Sequence, residues 1–486
     1  MNLESPAATK NSPVRGGRIL REGSNCWRIA PASRAAVLID GQDYYAALEK
    51  VLRKARKSIL ILGWDFDASI KLLPDHPDCP PLGDFLRSLA EERPELEIRV
   101  LVWSVAVFHA PGAPLPLLLG APWEEHPRIQ VRLDREHPLY GAHHQKIVVA
   151  DDTVAFVGGM DLTIRRWDTT KHEADHDLRK GPDGVPYPPV HDVQMVVEGE
   201  AALVVSDVAR DRWRRAIRED VAPVHATGDL WPEGLQPHFT DTPVAVVRTF
   251  ASWKGLPEIT EGMTNSLDAL GAAQRSIYME AQYLTAPKVG KVIEESLARP
   301  HGPEVIIIVR RLFSSKMERF VMGGNQARLV QRMRKADRHG RLGVYYPVVP
   351  RAGEDLPVTV HSKAMVVDDT YIRVGSSNMA NRSTALDTEL DLAIETDDPE
   401  RMQTIAGIRE TLIAEHLDCS PQDVRGAVKS EGSLIAAIDK LGCNKRCLRK
   451  LPETKNLPSR PVFGTWLLDP KRPFFLFPRK SVPAKS

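Results

Sequence analysis

Cysteine is scarce and unpatterned in this chain of 486 residues. The five cysteines, Cys26, Cys79, Cys419, Cys443 and Cys447, are odd in number and scattered. No pair has zinc-finger spacing, and Cys443 and Cys447 have no second pair to complete a ligand set. This argues against a disulfide framework and for reduced thiols in a cytosolic protein. An excess of one charge is missing too: 65 basic against 64 acidic residues leave a net charge of +1. Any basic site for an anion must therefore be local. Aromatic residues are only 6% of the chain, which does not encourage a stacking platform for nucleic acid. No run reaches the roughly 18 apolar residues of a membrane span. Ala110 to Trp123 is apolar but carries four prolines, so it cannot cross a bilayer as a helix. Residues 1–18 are polar and read as a disordered leader with no signal-peptide core.

What the chain does have is one short stretch used twice. His144-Gln-Lys146-Ile-Val-Val-Ala-Asp151 and His361-Ser-Lys363-Ala-Met-Val-Val-Asp368 share His, a spacer, Lys, four mostly apolar residues and Asp. Each is followed by a small-residue turn, Gly158-Gly159-Met160-Asp161 and Gly375-Ser376-Ser377-Asn378. A single His-x-Lys is noise in a chain with 15 histidines. Two copies 217 residues apart in matched context are not. The preceding segments also align: Ser58 lies 86 residues before His144, and Ser276 lies 85 before His361. That spacing indicates a duplicated unit and not a short-period solenoid.

Hydrophobic periodicity predicts strands and helices in alternation, in the same order in both halves. The first half reads as strands near 35–40, 58–62, 98–103, 129–133, 154–157 and 192–197. Its helices fall near 44–57, 82–92 and 201–217. The second reads as strands near 244–249, 276–279, 305–309, 344–346, 372–374 and 390–394, with helices near 263–273, 317–336 and 399–415. The expected fold class is α/β, a mixed α-β sandwich of two lobes related by a pseudo-two-fold axis. The expected divisions are a leader 1–18, a first lobe 19–230, a second lobe 231–418 and a small helical appendix with a proline-rich aromatic tail, 419–486. Ser420-Pro421 and Ser433 mark two helix starts in that appendix.

A strand through His144 and Lys146 would put imidazole and ammonium on one face, with Gln145 opposite. His361 and Lys363 would do the same around Ser362. Two such units brought together give two imidazoles and two ammonium groups around one centre. That is equipment for phosphoryl transfer without a metal: lysines neutralise the nonbridging oxygens, one His attacks phosphorus, and the other protonates the leaving oxygen. A nucleophilic His needs an acceptor at its other ring nitrogen. Asp192, 48 residues after His144, and Glu389, 28 after His361, are the candidates, each in its own copy. Asp151 and Asp368 complete the motifs next to turns and read as site architecture, not acid/base groups. The site set is thus His144, Lys146, Asp151, His361, Lys363 and Asp368, supported by Asp192 and Glu389. His172-x3-His176, with Glu173, Asp175 and Asp177, has the residue types of a metal cluster, but in a polar insertion with no cysteine it reads as a solvated loop. Arg310 to Met322 reads as a basic, partly apolar helix face that would suit an anionic interface.

The duplicated motif resembles the phospholipase D superfamily. The likeness extends to Gly158-Gly159-Met160-Asp161-Leu162, Arg166-Trp167-Asp168-Thr169, His191-Asp192-Val193, Glu280-Ala281-Gln282-Tyr283, Asn381-Arg382-Ser383 and Asp387-Thr388-Glu389. Ala281 stands where the family has Asn. The resemblance spans roughly residues 35–416. It implies a ping-pong mechanism with His144 as nucleophile and His361 as acid and then base, although near symmetry leaves the reverse open. It implies phosphate binding by Lys146, Lys363 and Asn378, which stands opposite the acidic Asp161. Water as acceptor would give phosphatidic acid, and an alcohol would give transphosphatidylation.

The expectation is a monomeric, cytosolic or peripherally membrane-bound phosphodiesterase. It would act on phospholipid at a membrane surface with no cofactor, no metal and no nucleic-acid partner. The rivals are a cardiolipin synthase-like phosphatidyltransferase, a nuclease and a non-catalytic lipid-binding scaffold.

Overall fold

The computed structural model describes residues 19–104, 124–224, 228–442, 446–454, 457 and 460–472. The expected leader, the proline-rich stretch Ala110 to Trp123, Cys443 and the tail aromatics Phe474, Phe475 and Phe477 lie outside these residues. Cys26, Cys79, Cys419 and Cys447 form no disulfide among the described residues.

Each lobe is built on one sheet, and the two sheets have the same strand order. In the first the order is Ile129–Asp134, Glu97–Trp103, Ser58–Gly63, Ile147–Ala150, Val154–Gly158, Val193–Glu198, Arg28–Ile39. In the second it is Leu342–Arg351, Glu304–Val309, Ser276–Ala281, Lys363–Val367, Tyr371–Gly375, Glu389–Glu395, Phe239–Phe250. In both, the first three strands are parallel and the rest antiparallel. Among the parallel strands Ser58–Gly63 and Glu304–Val309 are near-continuous apolar runs, as strands covered on both faces must be, while the edge strand Ile129–Asp134 alternates through Gln130 and Arg132. Ser58–Gly63 is buried throughout.

The two sheets meet edge to edge. Arg28 to Ala35 pairs antiparallel with Phe239 to Val246. These strands hold equivalent places, and antiparallel pairing of equivalent strands is what a two-fold axis produces. Both run 12 residues, longer than their apolar cores at 35–40 and 244–249 suggested. The added residues, such as Thr240-Asp241-Thr242, are polar and carry no hydrophobic signal.

The helices Glu200–Ile217 and Pro399–Leu417 follow equivalent strands. Val205, Val208 and Trp213 of one and Ile405, Ile408 and Leu412 of the other share a core with inward residues of both sheets. The helices Asp40–Lys54 and Leu82–Glu92 cover the outer face of the first sheet. Glu261–Ala272, Pro287–Ala298 and Gly324–Ala336 cover the second. The expected helix over 317–336 is interrupted by a wider turn at Arg319–Gly323. The helices Pro421–Glu431 and Leu434–Leu441 begin at Ser420 and Ser433, whose hydroxyls cap them. Val424, Leu434 and Ile438 pack into the shared core. Cys447–Lys450 adds a strand beside Tyr345 to Val348.

Candidate active site

Of the motif's imidazoles and lysines, Lys363 alone lies within a strand as expected. The strands begin at Ile147 and at Lys363, so His144, Lys146 and His361 stand just before them. The reason is that these segments are hydrogen-bonded across the lobes. The His144 backbone N–H donates to the Thr388 carbonyl at 2.9 Å, and the His361 N–H donates to the His191 carbonyl at 2.8 Å. Val190–His191 and Thr359–Val360 form a two-stranded parallel pair at the same seam.

The carboxylate partners cross over as well. His144 Nδ1 lies 2.8 Å from Glu389 Oε2. His361 Nδ1 lies 2.7 Å from Asp192 Oδ2. Pairing within each copy, His144 with Asp192 and His361 with Glu389, is therefore corrected: each imidazole is held by the acid of the opposite lobe. With Nδ1 committed to a carboxylate, Nε2 is the ring nitrogen left to react. The Ser376 and Ser383 hydroxyls donate to Glu389 at 2.6 and 2.7 Å, so the carboxyl oxygens are occupied as acceptors. Asp192 packs against the small-residue turn of its own lobe. A Cβ on Gly159 would lie 2.1 Å from Asp192 Oδ1, so this turn admits only glycine there.

The lysines are placed alike. Lys146 Nζ donates to the His144 carbonyl at 2.9 Å and lies 3.3 Å from Asp161 Oδ2. Lys363 Nζ donates to the His361 carbonyl and lies 3.1 Å from His361 Nδ1. Asp161, for which the sequence offered no role, also accepts from the Trp64 N–H at 2.8 Å and so fixes Lys146 to the end of Ser58–Gly63. Its counterpart Asn378 is buried, and its Oδ1 makes no hydrogen bond.

Electrostatics join the two half-sites. Burial, then the charges of Lys146 and Lys363, hold the His144 imidazole well below the usual histidine range. Burial, then Lys363, Arg166, Lys146 and Arg310, do the same to His361. Each ring thus feels both ammonium groups. Sequence reading missed Arg166 and Arg310 in this role. Burial pushes the Glu389 carboxyl up to about 8, against the two serine hydroxyls. Burial also lowers Lys363, against the pull of Asp192. A lowered ammonium loses its charge at lower pH, and an anionic substrate then loses a partner. KM for a phosphodiester should therefore rise at a pH below the ordinary lysine value of 10.5. Lys363→Arg should move that limb upward, which a pH series of initial rates checks.

Asp151 and Asp368 sit at the far ends of the motif strands. The backbone N–H groups of Arg56, Lys57 and Ser58 donate to Asp151 at 2.7, 2.8 and 2.7 Å. Those of Gln274, Arg275 and Ser276 donate to Asp368 at 2.7, 2.7 and 2.8 Å. Both carboxylates tie the turn before the neighbouring parallel strand, and neither is brought to the imidazoles. Asp151→Ala should cost roughly 2–4 kcal/mol of stability through three orphaned N–H groups, with kcat per folded molecule kept. A urea titration alongside an active-site titration checks this.

Of the remaining sequence expectations, Asp387 and Thr388 bind the first lobe, accepting from the Ala142 N–H and donating to its carbonyl, both at 2.9 Å. Glu280, of the family-like stretch Glu280 to Tyr283, lies 2.8 Å from His191 Nε2. His172 is not on a solvated loop. It is fully buried, between Asp168 at 2.9 Å and Glu415 at 2.8 Å. Its burial was hidden because its partners are distant in sequence.

Residues 130–231 match the family described as Phospholipase D, and residues 267–411 match the Cardiolipin synthase, PLD-like domain family. The chain is 25% identical over 468 residues to phospholipase D A of Dictyostelium discoideum, covering 79% of this chain and 35% of that protein. It is 23% identical to phospholipase D1 of Saccharomyces cerevisiae, covering 79% and 28%. The chain spans less than half the length of these relatives. Among solved structures, phosphatidylserine synthase of Haemophilus influenzae shares the fold, with a TM-score of 0.54 at 15% identity over 84% of this chain and 95% of that one. The duplicated motif, the repeated sheet and these matches agree: the chain belongs to the phospholipase D superfamily.

Proposed function

We propose that this chain is a phospholipase D-type phosphodiesterase and transphosphatidylase acting on glycerophospholipids. The observation that carries the reading is the crossed pairing of His144 with Glu389 and His361 with Asp192. Neither lobe completes a reactive imidazole alone. In the first step His144 Nε2 attacks phosphorus and the bond to the head-group oxygen breaks. His361 gives its Nε2 proton to that oxygen. In the second step His361 takes a proton from water or an alcohol, whose oxygen attacks phosphorus and expels His144. Lys146, Lys363 and the Asn378 amide meet the nonbridging oxygens. Burial disfavours imidazolium at both positions. The phosphodiester's own negative charge restores the field in which His361 carries a proton.

Because both motifs lie in one chain, the active unit is a monomer, and it works in the cytoplasm or peripherally on a membrane. No helix among the described residues is long and apolar enough to cross a membrane. A surface for lipid lies beside the site. Phe320 and Trp466 are 59% and 58% exposed, with exposed Arg311, Lys316 and Arg319 nearby. The two elements touch where Gly464 packs on Val321, and Arg310 at the base of this rim is one of the charges felt by His361. Phe320→Ser with Trp466→Ser should weaken binding to anionic vesicles by roughly 10–100-fold. Hydrolysis of a short-chain monomeric diester should be unchanged. Vesicle sedimentation and parallel assays read both.

The test of the function is incubation with mixed phospholipids, with and without ethanol, and product identification by mass. Phosphatidic acid and phosphatidylethanol support it; cleaved oligonucleotide with untouched lipid would sink it. A second reading is a phosphatidyltransferase, favoured by the family description matched over 267–411. It predicts cardiolipin when phosphatidylglycerol is supplied.

A further inference from the structure

Behind His361 the molecule buries an unusual number of ionisable groups. Asp40, His172, His191, Glu280 and His416 are at most 1% exposed, and Glu415 is 7% exposed. They come from the start of the helix Asp40–Lys54, the loop after the first motif, the strand at the seam, the strand Ser276–Ala281 and the helix Pro399–Leu417. Ions taken from water at this cost need compensation.

We propose that Asp40, His172, His191 and Glu415 form a binding site for one zinc ion. One donor atom from each lies within 4.8 Å of all the others. His172 Nε2 is 3.3 Å from Asp40 Oδ2 and 2.8 Å from Glu415 Oε1. His191 Nδ1 is 3.0 Å from Asp40 Oδ1 and 2.9 Å from Glu415 Oε1. Donors about 2.0–2.1 Å from a tetrahedral ion lie roughly 3.4 Å apart, so these four contacts would open by up to about 0.6 Å, while the other donor pairs already lie within 4.8 Å. Within the cluster His172 Nε2 and Glu415 Oε1 are aligned for a hydrogen bond, whereas His191 Nδ1 and Asp40 Oδ2 make none despite these short distances. Buried polar atoms in contact but not aligned with one another are expected where a cation, not a proton, is to be shared.

The outer partners fit the same reading. The ring nitrogen of His172 that faces away from the cluster is 2.9 Å from Asp168, which Arg179 holds at 3.0 Å. The outward nitrogen of His191 is 2.8 Å from Glu280, to which the Tyr278 hydroxyl donates at 2.5 Å. A carboxylate behind each ligating imidazole fixes its tautomer and raises its basicity. Two imidazoles and two carboxylates, with no thiolate, suit zinc and its substitute cobalt. Such an ion would tie the second-lobe helix to the first-lobe strand directly behind the active site. The His191 carbonyl accepts from His361, and the next residue, Asp192, holds its ring. The ion's role is structural, and the site is independent of which phosphodiester is cleaved.

The test uses the full chain, grown with added zinc and dialysed against a weak chelator. Plasma mass spectrometry should find about one zinc per chain. Cobalt in its place should give the visible absorption of a four-coordinate ion. His172→Gln and Glu415→Gln should lose both signals, while His176→Gln, on the same loop but outside the cluster, should keep them. A strong chelator should lower Tm by roughly 5–10 °C, with recovery on adding zinc. Wild-type chain that retains neither zinc nor cobalt in stoichiometric amount overturns the proposal and leaves a protonated imidazole–carboxylate cluster. So does retention of the ion by His172→Gln. The wild-type measurement decides even if a variant fails to fold.

Discussion

His144→Ala and His361→Ala each lower kcat by at least roughly 10⁴-fold on a natural phospholipid, and the double variant is little worse than either. The two rings act on one phosphorus in one cycle, so losing either stops it. His143 is next in sequence but points away, 3.1 Å from Asp134, in a buried ion pair with Arg212. Substantial turnover in either single variant, measured on chain shown to be folded by circular dichroism, would separate the two half-sites and end the shared-site account. The variants also tell the rings apart. A nitrophenyl diester has a leaving group that needs no proton. His361→Ala should therefore regain a first-turnover burst on it, and His144→Ala should not.

The crossed carboxylates carry the second large effect. Asp192→Asn and Glu389→Gln should each cost roughly 10²–10³-fold in kcat, because an amide no longer favours the Nδ1–H tautomer of the ring it faces. The pattern matters more than the size. Glu389 lies in the second lobe but serves the first-lobe imidazole, so Glu389→Gln should behave as a weakened His144 variant and stay slow on the nitrophenyl diester. Asp192→Asn should behave as a weakened His361 variant and be partly relieved by that substrate. If each acid instead tracked the histidine of its own lobe, the crossing would be contradicted. The Ser376 and Ser383 hydroxyls on Glu389 have no equivalent at Asp192, where Gly159 leaves room for the shorter acid to sit close. This difference lets two copies of one motif take different parts.

Much of this architecture was legible because it is local and repeated. The apolar runs at Ser58 and Ser276, the helical spacing of Phe85, Leu86 and Leu89, and the 217-residue offset between motifs each depend on neighbours in sequence. The helix Pro287–Ala298 was equally local, with Val289, Ile293 and Leu297 buried at helical spacing, yet it was not read from the sequence. What the chain order could not show was which lobe supplies which acid. Asp192 is 169 residues from His361, and Glu389 is 245 from His144. Spacing favoured the nearer, wrong partners. The same blindness hid Asp161 beside Lys146 and made the buried His172 read as a solvated residue. Pairings across a two-fold seam follow from how two sheets meet, and no periodicity within either half records that.

The most direct test of the central claim is the stereochemistry at phosphorus. A phospholipid made chiral at phosphorus by sulfur substitution, transferred to ethanol by this chain, should give product with retained configuration. Two in-line displacements, first by a histidine and then by the alcohol, each invert the centre. Inversion would mean a single displacement with no phosphohistidine, and would contradict the account.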